Sequence, residues 1–134
     1  MFTSSFETHN LWKSQIYRLD LTWGTTTRLT KGDSYNEHPR YTPDGQVVWM
    51  SSADNPSRGT DWWTMSPDGS NPQRLSDFNS NANARGFGGK QVYATVVQTA
   101  NWSTDHSYFY GDVETNLLTS DSVILRVSLT CQGS

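Results

Sequence analysis

The chain has 134 residues, enough for one domain with its own core, and a formal net charge of −3. Only 34% of its residues are hydrophobic and its mean hydropathy is −0.69, yet aromatics reach 13%, a level that disordered chains do not carry. Its lysines are Lys13, Lys31 and Lys90 and its arginines stand singly, so it lacks the clustered cations of a nucleic-acid surface or a polybasic membrane segment, and no stretch has the length of a transmembrane helix.

Such a polar chain, rich in Thr, Ser, Asn, Gly and aromatic residues, suits short strands joined by many turns, and an all-β domain is predicted. The first residues lack the basic region, apolar run and cleavage site of a signal peptide. Residues 2–5 (Phe-Thr-Ser-Ser) read as a short strand, residues 16–21 as an apolar strand, and Arg28-Leu29-Thr30 as a third. Trp12 and Trp23 fall in less regular stretches, where exposed aromatic contacts are expected. Asp33, Glu37 and His38 then cluster before the most regular segment; a carboxylate beside a histidine suits an acid–base pair, metal ligation or a solvated, capping turn, and the three are candidate binding residues of a connecting loop.

The middle segment reads as four strands, at residues 37–42, 46–52, 61–66 and 73–75. Thr42-Pro43-Asp44-Gly45 and Ser66-Pro67-Asp68-Gly69 supply its hairpin turns, proline presetting φ and glycine accepting the left-handed conformation. The loop from Asp54 to Asp61 contains Pro56 and Gly59, and there Arg58 and Asp61 are candidate recognition residues. Asp77 to Asn83 alternates oxygen-bearing side chains like a calcium loop, but Ala82 and Gly88 replace the glycine and glutamate that an EF-hand needs, so no metal site is assigned. Gly86-Phe87-Gly88-Gly89 lacks the lysine of a phosphate loop, and no other catalytic signature appears; no cofactor is expected. His106 stands where the related turn has glycine, Asn101-Trp102-Ser103 matches a glycosylation acceptor, and the lone Cys131 excludes an internal disulfide.

These segments repeat. Residues 16–21 through Arg28-Leu29-Thr30 align without a gap on residues 62–67 through Arg74-Leu75-Ser76, at a constant offset of 46, and residues 124–129 copy the first half again. Residues 39–51 align on residues 100–112, and residues 2–5 on 49–52. These alignments pair Leu29 with Leu75, Tyr41 with Trp102 and Trp49 with Tyr110, and place all six in layers between stacked sheets.

The run His38-Pro39-Arg40-Tyr41-Thr42-Pro43-Asp44-Gly45, followed by Trp62-Trp63-Thr64-Met65-Ser66-Pro67-Asp68-Gly69 and Arg74-Leu75-Ser76, resembles the WD40-like repeat of the TolB-type β-propeller family. The resemblance implies antiparallel four-stranded blades, one domain over residues 1–134, and blade strands at residues 2–30, 37–76 and 91–130. Propellers hold roughly four to eight blades of about 40–45 residues each. About three blades form an incomplete ring, so the expectation is a part of a longer propeller, with self-association or an open stack as alternatives. The resemblance further implies a non-enzymatic scaffold for a protein or peptide, in a periplasmic or secreted bacterial setting. A carbohydrate is the alternative partner; neither nucleic-acid binding nor membrane insertion is expected. Similar repeats also form the propeller of prolyl-oligopeptidase-like hydrolases and some polysaccharide lyases, in which segments outside this chain would complete an active site.

Overall fold

The structure is a computed structural model, and it describes residues 1–55, 59–78, 93–95, 108–116 and 121–128. Arg58, the oxygen-rich run after Phe78, the glycine run at 86–89, Asn101-Trp102-Ser103, His106 and Cys131 lie outside the described residues.

The described residues form antiparallel β-sheets. The first sheet holds β1 (Phe2–Ser4), β2 (Gln15–Leu19) and β3 (Thr26–Arg28) in chain order. The middle sheet runs β4 (Asn36–Tyr41), β5 (Val47–Ser51), β6 (Asp61–Met65) and β7 (Gln73–Arg74). The last sheet runs β8 (Tyr93–Thr95), β9 (Tyr108–Asn116) and β10 (Asp121–Ser128). The four strands expected at residues 37–75 are thus present, and hydroxyl-Pro-Asp-Gly turns close both hairpins as the sequence indicates. Gly45 and Gly69 take φ of 86° and 89°, and the amide of each donates to the hydroxyl residue that opens its turn.

The sequence repeat is a repeat of register. Phe2 pairs with Tyr17 and Thr3 with Ile16, as Trp49 pairs with Trp63 and Met50 with Trp62. Tyr17 lies opposite Arg28 as Trp63 lies opposite Arg74. The final Arg-Leu-Thr/Ser does the same work twice. The Thr30 hydroxyl receives the Ile16 amide at 2.9 Å and donates to Gln15 Oε1 at 2.8 Å. The Ser76 hydroxyl receives the Trp62 amide at 2.9 Å and donates to Asp61 Oδ1 at 2.8 Å.

Because side chains alternate across a strand, each sheet has two faces. Ile16 and Leu29 of the first sheet pack with Val47, Trp49 and Met65 on one face of the middle sheet. Val48 and Trp62, on its other face, pack with Phe109 and Val113 of the last sheet. The middle sheet is therefore enclosed on both sides, and all of β5 is buried. Its β6–β7 turn also reaches the first sheet. A β-carbon on Gly69 would stand 2.8 Å from the Leu29 carbonyl oxygen, and Arg18 Nη1 donates to the Pro67 carbonyl at 3.1 Å.

Of the six residues assigned to the inter-sheet layers, Leu29 and Trp49 are buried there. Tyr110 is 39% exposed, because β9 sits one residue out of step with the sequence alignment: Gly111 lies opposite Leu125, in the place of Trp49 opposite Trp63, and Phe109 and Val113 face the middle sheet. A slip of one residue sends each side chain to the other face. Tyr41 is 46% exposed, since a bulge between Glu37 and Arg40 interrupts the alternation of β4. Leu75, just past the two-residue β7, is 37% exposed beside a cleft against β10, whereas Leu29 is buried under Gly69. Trp102 lies outside the described residues; β9 pairs with β8, Tyr93–Thr95.

Candidate binding site at the loop end of the first two sheets

Three connections meet at one end of the first and middle sheets: β1–β2, β3–β4 and β5–β6. In the first, the Asn10 side chain accepts the Trp12 amide at 3.0 Å and starts a single 3-10 turn, Leu11–Lys13, that the sequence reading did not contain. The turn presents Trp12 outward, 52% exposed. Lys13 Nζ then reaches Asp33 Oδ2 in the second connection at 2.7 Å, and this ion pair holds the Asp33 carboxyl below the ordinary aspartate range. Tyr35, next to β4, exchanges backbone bonds with the third connection: its amide donates to Ser52 Oγ at 3.0 Å and its carbonyl accepts the Ser52 amide at 3.0 Å.

Beneath these loops lies a buried polar framework. Gln15 Nε2 donates to the carbonyls of Lys13, Gly32 and Ser34. Asn36 Oδ1 accepts Trp49 Nε1 at 3.0 Å and Ser51 Oγ at 2.7 Å, while Asn36 Nδ2 donates to Ser14 and Ser34 carbonyls and to Gln15 Oε1. Both residues are buried, so these bonds fix the loops at little cost in later ordering.

The result is a cavity of about 590 Å3 whose lining includes Trp12, Lys13, Asp33, Tyr35, Ser52 and Asp54. That volume falls within the roughly 300–1,000 Å3 of small-ligand sites. The Trp12 and Tyr35 rings stand 5.6 Å apart at 52°, giving it an aromatic corner. Asp54 takes φ of 60°, a conformation that costs a non-glycine residue energy, and its exposed carboxylate has no partner among the described residues. The arrangement suits recognition. Among the described residues no group of three His, Cys, Asp or Glu side chains comes together to hold a metal ion.

The structure separates the candidates that the sequence grouped. Asp33 borders the cavity. Glu37 and His38 lie on β4 beyond it: Glu37 Oε1 meets Ser14 Oγ at 3.5 Å, and His38 Nε2 stands 3.9 Å from Glu37 Oε2. His38 has φ of 51° at the bulge, immediately before Pro39, and its buried Nδ1 has no hydrogen-bond partner among the described residues. A bulge, a proline and the Glu37 carboxylate on the edge strand of the middle sheet also discourage another strand from pairing there. Asp61 is 1% exposed, and its Oδ1 accepts the Ser76 hydroxyl and, at 2.7 Å, the Phe78 amide. It ties β6 to the segment after β7. Arg58 lies outside the described residues. Of the two exposed tryptophans, Trp12 enters the cavity, while Trp23 is 78% exposed in the β2–β3 turn. In the sequence Tyr35 carries no signal beyond its place two residues after Asp33, and Asp54 opens a loop whose recognition candidates are Arg58 and Asp61.

No family model matches the chain. An uncharacterized protein of Agrobacterium fabrum is 36% identical over 62 residues, covering 46% of this chain and 20% of the relative. A dipeptidyl-peptidase 5 of Porphyromonas endodontalis is 52% identical over 40 residues, covering 28% of this chain and 6% of the relative. The chain therefore spans a fifth or less of the curated relatives it matches here, and the similarity to each is confined to that part.

Proposed function

We propose that this chain supplies about three blades of a TolB-like β-propeller and serves as a non-enzymatic scaffold that binds a protein or peptide through its loop end. One observation carries the reading: Ile16 and Trp62, equivalent in the repeat, each project from their own sheet into the next, so the sheets stack in one direction with one register. A unit of that kind stacks only on further units of its own kind, and a closed series turns its loops toward one end. Further sheets, from the same product or from another copy, then cover the outer faces. A carbohydrate is the alternative ligand, and a periplasmic or secreted setting accompanies the resemblance.

The test is a selection of random peptides on the intact chain, with the Trp12→Ala/Tyr35→Ala variant as counter-selection. Peptides enriched on the chain and lost on the variant support the reading. Equal capture by both, or no enrichment, overturns it.

The local similarity to a dipeptidyl-peptidase 5 favours a second reading, in which these blades are the propeller portion of a prolyl-oligopeptidase-like hydrolase. In that case the nucleophile lies outside this chain, and the loop end admits or positions a peptide substrate. Peptidase activity of a longer gene product, absent from this chain alone, distinguishes it from the scaffold.

A further inference from the structure

We infer that the cavity at the loop end receives the cationic side chain of a peptide partner, an arginine in preference to a lysine. This rests on the peptide-binding reading above and deepens it.

The charge of the cavity points to a cation. Its lining residues include two acidic ones, Asp33 and Asp54, and one basic one, Lys13. Lys13 is committed to Asp33 at 2.7 Å, which leaves the Asp54 carboxylate uncompensated by any described residue. The ion pair keeps Asp33 ionised and draws the lysine toward it.

The aromatic corner points to a flat cation. Trp12 offers a half-exposed indole, and Tyr35 stands beside it at 5.6 Å and 52°. A guanidinium is planar and weakly hydrated, stacks on a ring face, and still directs its edge N–H groups to a carboxylate. An ammonium does the first poorly. Ser52 borders the same space, so donors not used by Asp54 meet a hydroxyl oxygen there. Because backbone bonds from Tyr35 to Ser52 and the Gln15 bonds below already fix the walls, little order remains to be imposed on binding.

The experiment titrates the intact chain with acetyl-Ala-Arg-Ala-amide and with its citrulline counterpart, which keeps the shape and removes the charge. Amide and indole chemical shifts are followed, and lysine-containing peptide and cellobiose serve as comparisons. The arginine peptide is expected to bind about tenfold more tightly than the citrulline peptide and to shift the Trp12 indole signal. Asp54→Asn is expected to reduce its affinity by about three- to tenfold and to flatten its salt dependence, with the remaining spectrum unchanged. Trp12→Leu is expected to lower affinity for the arginine peptide more than for the lysine peptide. Equal binding of the citrulline peptide, or an Asp54→Asn variant that binds as before, overturns the inference and leaves the peptide reading standing. Cellobiose bound in place of every peptide overturns both, as does failure of these peptides together with an empty peptide selection.

Discussion

The indole of Trp62 lies against the bare backbone of Gly111, so close that a β-carbon on the glycine would stand 2.2 Å from Cζ2. This contact joins the middle sheet to the last one, and Phe109 and Phe78 meet the same indole edge-on at 5.5 and 5.3 Å. Both neighbours hold the ring in place, so it has little room to retreat.

Gly111→Ala is therefore expected to destabilise the fold by about 1–3 kcal/mol, the usual cost of overfilling a packed core. In a Trp62→Leu background the same alanine is expected to cost less than about 0.5 kcal/mol, because the atoms it meets are gone. Urea unfolding of the four species closes the cycle. Equal costs in both backgrounds would place the contact elsewhere.

The equivalence of Thr30 and Ser76 is energetic as well as geometric. Each hydroxyl receives a strand amide and donates to a buried side-chain oxygen, on Gln15 in one case and Asp61 in the other. Thr30→Val and Ser76→Ala each strand one amide and weaken one acceptor, and a loss of about 1–3 kcal/mol is expected for each. Ser76→Ala should be the costlier, since its acceptor is a carboxylate. Unfolding midpoints of the two variants check this, and a neutral Ser76→Ala would contradict it.

These pairs also show where the sequence was legible. Strand positions and turns of the middle sheet follow from alternation and from Pro-Asp-Gly chemistry, which are local. The fixed offset carried the register of the first sheet onto the middle one. The alignment of residues 39–51 on 100–112 failed at Tyr110, because a shift of one residue reverses facing while leaving the pattern of aromatics looking alike. Tyr41 failed for a related reason, the bulge at His38, which no local propensity announces. At the site, Trp12 was visible as an aromatic without a strand, and Asp33 as a charge in a loop. Tyr35 and Asp54 meet them only through long-range contacts between connections about 20 residues apart in sequence, so no short window contains the cavity.

Tyr17 provides a pH-dependent signature. Its phenol is 6% exposed, and burial raises its pKa above 10.0, with the nearby Glu7 carboxylate raising it further and Arg28 opposing. Among the described residues no acceptor meets its hydroxyl in full hydrogen-bond geometry, and the Glu7 carboxylate close by favours its protonated form. The folded state thus keeps its proton longer than the unfolded chain does. Stability from this group is whole below about pH 10, the unfolded value, and falls as pH rises from there toward the folded value. Tyr17→Phe should remove that alkaline slope while leaving stability near pH 7 unchanged or slightly higher, as an unpaired hydroxyl leaves the interior. Thermal melts of both proteins between about pH 8 and 11 test the sign.

Ile124 occupies in the last sheet the position of Ile16 and Trp62 in the other two, yet it is 71% exposed where they are 0% and 1% exposed. At the opposite end of the stack, Phe2 and Leu19 are each 41% exposed beside the buried Tyr17, in the places that Trp49 and Met65 fill against the first sheet. Ile124→Ser in this chain is accordingly expected to change stability by less than about 0.5 kcal/mol. In a longer product, if a further sheet of the repeat covered that face as proposed, the same substitution would cost about 1.5–3 kcal/mol, the worth of a buried isoleucine side chain. The comparison separates position from chemistry, since the residue and its replacement are the same in both contexts. Unfolding measurements on the two products decide it: equal small costs would mean that Ile124 meets no neighbouring sheet, and that the one-directional stacking seen at Ile16 and Trp62 stops there.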